Sequence, residues 1–537
     1  MKKNVLALSI AAMIGGLGFA GAASADVVVG AAPLTATTAT QLSFAEGGVG
    51  HALLVPYFNA QNGNMTVLHV VNTDTSRGKA VKVRFRGALN SDDILDFQVF
   101  MSPGDVWTAA VTAGSDGVAQ IVTADGTCTL PKLSKGVNQP FVLDRLNPGI
   151  ATADKANNTR EGYVEIFNMA DIPPTLAGSA TVNPLYTAIK HVNGVAPCTQ
   201  TALDATLNNF TTPAAVAAAG FDTPSTGLVG DWYIINVAQT TTFSGGATAI
   251  RAETAGGVPA VGNFVHFPQL STNAPTPDNF TADPLFRTLN VYNASNVAAT
   301  GLPKVAAANY DLPDMSTPYI TAAGVAVSPL VQATRLTDAL AVTSISNQYA
   351  NDASISAKTD WVFSMPTRRY NVVANYAAAN SSPVDTANIR LFTDLNVDGT
   401  VATERFNPSN TSLLASGGAI CVSSTGQAFY DREEQTQSSG AVFSPGSVTQ
   451  TRFCGETSVL SFADAGNSVL SASVARQNLT TGSFTNGWSR VAVPNNNLGL
   501  PILGSSFIKL TNPQASAGTS GTYGITWPHR FTRPSVQ

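Results

Sequence analysis

Residues 48–111 read GVGHALLVPYFNAQNGNMTVLHVVNTDTSRGKAVKVRFRGALNSDDILDFQVFMSPGDVWTAAV. Short apolar runs stand out at Ala52–Phe58, Met65–Val71, Ala80–Phe85, Ile94–Met101 and Val106–Val111. Turn residues separate the runs: Asn62-Gly63-Asn64, Asp74-Thr75-Ser76-Arg77-Gly78, Asn90-Ser91-Asp92 and Ser102-Pro103-Gly104-Asp105. Runs of this length between such breaks are short strands of a sandwich, immunoglobulin-like in kind. Within Ala80–Arg86 the sides alternate: Val81, Val83 and Phe85 against Lys82, Arg84 and Arg86. A period of two with one apolar and one basic side predicts a half-buried antiparallel strand, apolar side on a core and basic side in water. On that register Val83→Asp is expected to cost several kcal/mol, and Lys82→Asp to change stability little. The stretch holds no reactive constellation and reads as built to pack and bind.

Working outward, the chain begins with Lys2 and Lys3, an apolar core over Val5–Ala20 and the small-residue site Ala23-Ser24-Ala25. That is the pattern of a secretory signal peptide, with the mature chain starting at Asp26. No later stretch is long and apolar enough to span a bilayer as a helix. Charged residues make up 12% of the chain while 44% is hydrophobic, about half the charge of an ordinary soluble protein. A surface so poor in charge resists self-association weakly. The net charge of −5 leaves no basic footprint, so nucleic acid is not an expected partner. Cys128, Cys198, Cys421 and Cys454 are even in number and lack the CxxC spacing of metal thiolates. In an exported chain they read as two disulfides, with the sequence-local pairing Cys128–Cys198 and Cys421–Cys454 favoured among three possibilities.

Further along, Glu161–Phe167 alternates like a strand, Pro213–Gly220 (PAAVAAAG) has the proline start and glycine stop of a short helix, and Trp232–Val237 reads as a buried strand. Residues 255–286, rich in Pro, Gly and Asn, are a domain junction or a long surface loop. Asp360–Ser364 and Tyr370–Ala374 are strands flanking Pro366-Thr367-Arg368-Arg369. The fold class expected is mainly β: multidomain antiparallel β-sandwiches with long loops and few short helices. Its division is a signal peptide over 1–25, an N-terminal β-sandwich over 26–125, a loop-rich β domain over 126–300 and a C-terminal β domain over 301–537.

One local pattern suggests a ligand. Asp394, Asn396 and Asp398 stand at positions one, three and five, Gly399 at six, Thr400 at seven and Glu404 at eleven. Oxygen donors at that spacing wrap a hard cation such as Ca²⁺, although an EF-hand places its glutamate at twelve. The alternative is an Asx-rich turn whose side chains bond only to backbone. The histidines His51, His69, His191, His266 and His529 are scattered and read as structural. Asp92, Asp93 and Asp96 read as a solvated turn, and Trp107, Trp232, Trp361, Trp488 and Trp527 as core anchors ahead of a sugar platform. The nucleophile-elbow, zinc-protease and phosphate-loop motifs do not occur, so no enzyme is expected.

Four segments carry a resemblance: LLVPYFNAQNGNMTVLHVVNTD over 53–74, LDFQVFMSPGDVWTA over 95–109, DWVFSMPTRR over 360–369 and GWSRV over 487–491. The chain resembles exported surface-layer-type proteins of comamonad bacteria, including the kind that sheathes the tubular outer-membrane extensions called nanopods. The resemblance implies a location and an assembly role, and no site residues. The expected function is an exported structural protein that self-assembles into a layer or sheath on the outer membrane. Its partners would be copies of itself and the membrane surface or its polysaccharide. The alternative is an adhesin or carbohydrate-binding surface protein, which needs an exposed aromatic platform.

Overall fold

The computed structural model describes residues 26–537 except 209, 268, 270–290, 293–318, 328, 394–404, 415–417, 439–450, 463–467, 475, 482, 494–497, 517–518 and 535–537. The chain is mainly β, with antiparallel sheets and few short helices. Its first strands are β1 Asp26–Val28, β2 Gln41–Phe44, β3 Ala52–Asn59, β4 Asn64–Asn72 and β5 Gly78–Gly87. They continue as β6 Asp93–Met101, β7 Val106–Ala113, β8 Ala119–Val122, β9 Cys128–Leu130 and β10 Gln139–Pro140. After a longer excursion come β11 Glu161–Ile172, β12 Leu228–Asn236, β13 Thr241–Gly246, β14 Thr248–Glu253 and β15 Phe264–His266.

Two sheets dominate this part. One has seven strands in the order β2-β14-β3-β11-β5-β6-β9, the other six in the order β10-β8-β7-β4-β12-β13. Strands from 161–253 sit inside both, so the sheets run past residue 125, where the first sandwich was expected to end. The turn at Asn62 and Gly63, both at positive φ (49° and 80°), carries the chain from β3 in one sheet to β4 in the other. Asn and Gly enter that region at little cost, which is why they stand there. Between the sheets lies an apolar core in which Val81, Val83 and Phe85 meet Phe97, Trp107 and Trp232. Phe85 stands edge-on to Phe58 with centroids 5.4 Å apart, and Phe97 lies 5.6 Å from Trp107. The alternation read from β5 therefore gives the correct inner face.

The C-terminal half forms two five-stranded sheets. Lys358–Ser364 is central in one, between Thr457–Phe462 and Leu503–Ser516, with Thr519–Pro528 at its edge. The other runs Thr436–Ser438, Gly426–Tyr430, Asn486–Ala492, Ser344–Ala350, Arg530–Thr532. Trp361, Phe363, Phe429 and Phe462 fill the space between them. Because strand side chains alternate, Val362 and Phe507 point the other way and join the N-terminal core. Phe507 lies 6.0 Å from Trp232 and 5.4 Å from Phe243, centroid to centroid. The halves thus share apolar packing instead of hanging on a linker.

They also meet edge to edge. Ser244 N–H of β13 donates to Thr526 Oγ1 at 3.2 Å, and a Cβ on Gly524 would stand 2.1 Å from the Thr242 carbonyl oxygen. Glycine permits that approach, and the contact covers two strand edges that would otherwise template aggregation. Gly524→Ala is expected to force the edges apart and cost about 1–3 kcal/mol. Urea unfolding of the variant measures this, and an unchanged midpoint would show that the edges do not abut.

Both disulfides form as paired in the sequence reading, Cys128–Cys198 and Cys421–Cys454. Pro213–Ala218 is helical, with Pro213 in the first turn and the Thr212 side chain accepting from Ala215 N–H.

Candidate functional site: a buried charged face

The second face of the seven-stranded sheet overturns one expectation. Lys82, Arg84 and Arg86 do lie opposite Val81, Val83 and Phe85, but they are 0%, 0% and 1% exposed. The whole of β5 is buried. A second apolar layer covers this side: Leu185 and Ile189 from one short helix, Val216 from another, Phe264 and Phe267 around β15, and Leu336 from Pro329–Leu340. A sheet covered on both faces must either be apolar throughout or pair its polar groups. This one pairs them.

Register sets the pairs. Arg84 of β5 stands across from Asp96 of β6 on one side and Glu165 of β11 on the other. Lys82 Nζ reaches diagonally to Asp96 Oδ1 at 2.5 Å, and Arg86 Nε to Glu165 Oε2 at 3.2 Å. Arg84 also lays its guanidinium over the Phe267 ring, 4.2 Å from the centroid. At one end of the strand Lys79 Nζ meets Asp171 Oδ1 at 2.9 Å. Phe267 and Gln269 are sewn onto the ladder: Gln269 Oε1 accepts from Lys82, Gln269 Nε2 donates to Asp96 Oδ1 at 2.7 Å, and Gln98 Nε2 donates to the Phe267 carbonyl at 2.6 Å. Burial pulls the Lys82 ammonium down to a pKa of about 8 against the upward pull of Asp96. Burial pushes the Asp96 carboxyl up, but Lys82 and Arg84 outweigh it and hold the group below its ordinary range.

Two of the three aspartates expected in a solvated turn are part of this interior, Asp93 being half-buried. Asp96 is 0% and Asp92 6% exposed, and Tyr376 OH donates to Asp92 Oδ1 at 2.7 Å. The reason is the far end of the ladder, where the C-terminal half docks. Arg368 Nε donates to Glu456 Oε2 at 2.5 Å, Arg369 N–H to Glu456 Oε1 at 3.1 Å, and the Arg369 guanidinium to the Ser91 carbonyl. The Pro366–Arg369 turn and the Asn90–Asp92 turn, far apart in sequence, are one contact.

Two further carboxylates clip residues 468–474 onto both halves. Glu161 Oε1 accepts from Ser473 N–H at 2.7 Å and Val474 N–H at 3.1 Å, while Asp360 Oδ2 accepts from Leu470 N–H at 3.0 Å. Burial pushes both carboxyls up, and these donors work against it.

A serine, a histidine and an aspartate also converge. Ser102 Oγ lies 3.0 Å from His191 Nδ1 and Asp105 Oδ2 lies 3.7 Å from the same nitrogen. A proton relay needs the hydroxyl on one ring nitrogen and the carboxylate on the other. This trio is the tie of a turn, since Ser102 N–H also donates to Asp105 Oδ2 at 3.0 Å.

The arrangement supports registration of the fold. A one-residue slip of β5 would set Val81, Val83 and Phe85 against carboxylates and bury unpaired cations between the sheets. The sequence signal existed, in that Asp96 and Gln98 in β6, and Glu165 in β11, occupy the alternate positions facing the same way as Lys82 and Arg84. Of the other residues singled out from sequence, Trp107, Trp232 and Trp361 are core anchors at 0–1% exposure, whereas Trp488 and Trp527 are 40% and 45% exposed. The oxygen-rich loop Asp394, Asn396, Asp398, Thr400 and Glu404 lies outside the described residues. Comparison with family models, curated proteins and solved structures finds no match to this chain.

Proposed function

We propose that this protein is an exported cell-surface structural protein whose copies associate into a layer or sheath on the outer membrane. The observation that carries the reading is the outer face of the six-stranded sheet. An antiparallel sheet with one face on a core normally turns a polar face to water. Here the cross-strand rows on that face are Val106–Val71–Val229 and Ala110–Val67–Tyr233, followed by Met65–Ile235. Val106 is 43% exposed, and Val71, Val229, Met65, Tyr233 and Ile235 are half-buried. Between these rows lie Thr108, His69 and Asp231, the His69 ring held by Thr108 Oγ1 at 3.1 Å and the Tyr233 hydroxyl at 3.2 Å. The three strands that carry these rows, at about 4.8 Å spacing, and about seven residues at 3.4 Å give an apolar patch of roughly 14 Å by 24 Å. A stable interface takes on the order of 800 Å² from each partner, so this patch would form the apolar centre of a contact between copies, with the flanking strands supplying its rim.

Lysines at the face test this. Each would put an unpaired charge into the contact, and every 1.4 kcal/mol is a tenfold change in association. Val71→Lys with Tyr233→Lys is expected to raise the concentration needed for assembly by at least about tenfold, read by sedimentation velocity and negative-stain microscopy. A wild-type mature chain that stays monomeric at every concentration and on outer-membrane vesicles would sink the assembly reading.

One observation favours the adhesin alternative. Tyr430 and Trp488 stack on adjacent strands with centroids 4.1 Å apart and planes 6° from parallel. They spend one face each on the other, and Trp488 keeps enough exposure to stack a sugar ring.

A further inference from the structure

Beside the Cys128–Cys198 disulfide lies a cavity of about 440 Å³, within the size range of small-molecule sites. Its base is apolar: Leu133, Leu203 and Cys128 are 9%, 3% and 2% exposed. Its rim carries Lys132 and Lys135, both exposed, with Gln200 on the opposite wall. The disulfide bolts these walls together, tying β9 to the 194–203 segment, so the cavity is held open by a covalent bond.

Lys135 is placed unlike an ordinary surface lysine. The Lys135 ammonium folds down against Gly126, where an added Cβ would stand 3.3 Å from Nζ. The Gly126 carbonyl oxygen in turn lies 3.8 Å from Cys198 Sγ. The ion pairs among the described residues use neither lysine. The cavity's carboxylate, Asp125, is turned into its own loop: Oδ1 accepts from Thr127 N–H and Oγ1, both at 2.8 Å, and Oδ2 from Thr108 N–H at 3.3 Å. Two cations therefore line an apolar-floored hollow against one carboxylate, both of whose oxygens already accept hydrogen bonds.

We propose that this cavity binds a small organic anion, a carboxylate or phosphate carried on a body about the size of a monosaccharide. The ammonium groups take the anion as point charges, and the body covers Leu133, Leu203 and the disulfide. Glucuronate and glucose 6-phosphate carry the two anions on the same body, glucose carries neither, and inorganic phosphate carries no body. The site stands independently of the assembly reading.

Isothermal titration of the intact mature protein with these four probes tests it. The sugar anions are expected to bind with a Kd of about 1 mM or tighter, and glucose at least about tenfold more weakly. Binding is expected to weaken as salt rises, since the rim charges are solvent-screened. Whichever sugar anion binds more tightly identifies the anion. Lys132→Gln with Lys135→Gln is expected to weaken binding about tenfold while leaving the urea midpoint in place, and Arg432→Gln in the C-terminal half to leave binding unchanged. Glucose binding as tightly as glucuronate, inorganic phosphate binding as tightly as either sugar anion, no heat with any probe, or a double variant that binds normally would each overturn the proposal.

Discussion

Lys82→Asp is expected to unfold the protein or leave it barely folded, in contrast to the small effect that a water-facing lysine would give. Both Lys82 and Asp96 are 0% exposed, and removing one partner of a buried pair costs about 3–5 kcal/mol because the other charge is left uncompensated. The substitution does more than remove a partner, since it sets a second carboxylate beside Asp96. A domain's net stability is on the order of 5–15 kcal/mol, so this one change consumes a large share of it. Asp96→Ala isolates the loss of the partner and should fall within the 3–5 kcal/mol range. Lys82→Met with Asp96→Leu removes both charges and should recover part of the loss, because an apolar pair of similar volume is often neutral in such a place, while Gln269 Oε1 loses its donor. Val83→Asp, on the opposite face, should be as damaging as Lys82→Asp. Urea unfolding of the four variants decides the matter. A Lys82→Asp midpoint near wild type, with Val83→Asp strongly lowered, would restore the basic face to water and remove the charge ladder from the interior.

The contrast between those two positions marks what the sequence discloses. Strand positions, turn chemistry and the inner face of β5 follow from local rules: period two, Asn-Gly at positive φ, apolar residues inward. The disulfides follow from an even cysteine count without metal-ligand spacing and from proximity in sequence. What covers the outer side of the strand does not follow locally, because the covering residues come from 185–189, 216, 264–267, 269 and 336, a hundred or more positions away. A basic row reads as solvated unless its acidic counterparts on neighbouring strands are laid beside it, and that requires the strand order. The order β11-β5-β6 is not a hairpin sequence, since β11 enters between β3 and β5 after a long detour. The same distance effect hides the meeting of Arg368 and Arg369 with Asn90 and Ser91. For the candidate sites, Lys132 and Lys135 in CTLPKLSKG carry no motif, and the cavity exists because residue 198 is bonded to residue 128.

Acid is expected to destabilise the protein steeply from pH 6.5 downward, before carboxylate titration begins to matter. His51, His266 and His529 are buried, and burial lowers each pKa from 6.5 to about 3. Geometry gives the reason in two of them. The Ala252 N–H donates to His51 Nδ1 at 3.1 Å, so that nitrogen accepts and Nε2 carries the proton, facing the Ala260 carbonyl at 2.9 Å. In His529, Nε2 faces the Val362 carbonyl at 2.9 Å and Nδ1 the Asn347 amide nitrogen at 2.9 Å. A second proton on either ring would point a donor at a donor. The folded state therefore refuses protons that the unfolded chain takes up below pH 6.5. Stability from these groups is whole above pH 6.5 and is lost as pH falls toward 3, by about 1.4 kcal/mol per pH unit for each histidine. At pH 5 each has withdrawn about 2 kcal/mol and the three together about 6, comparable with the whole stability of a domain. Glu161 and Asp360, whose carboxyls burial pushes up, act the other way: the folded state takes their protons first, so they return some stability as pH falls through the carboxylate range. The urea midpoint should therefore drop steadily between pH 6.5 and 5 and keep falling below that on a gentler slope, two carboxyls returning part of what three histidines withdraw. His529→Gln keeps one donor and one acceptor without a titrating ring, so its slope should be shallower by about one histidine's share even where its absolute stability is lower. A midpoint that holds level from pH 7 to 5 would mean that these rings accept protons in the folded state, and hence that they are not sealed between the layers.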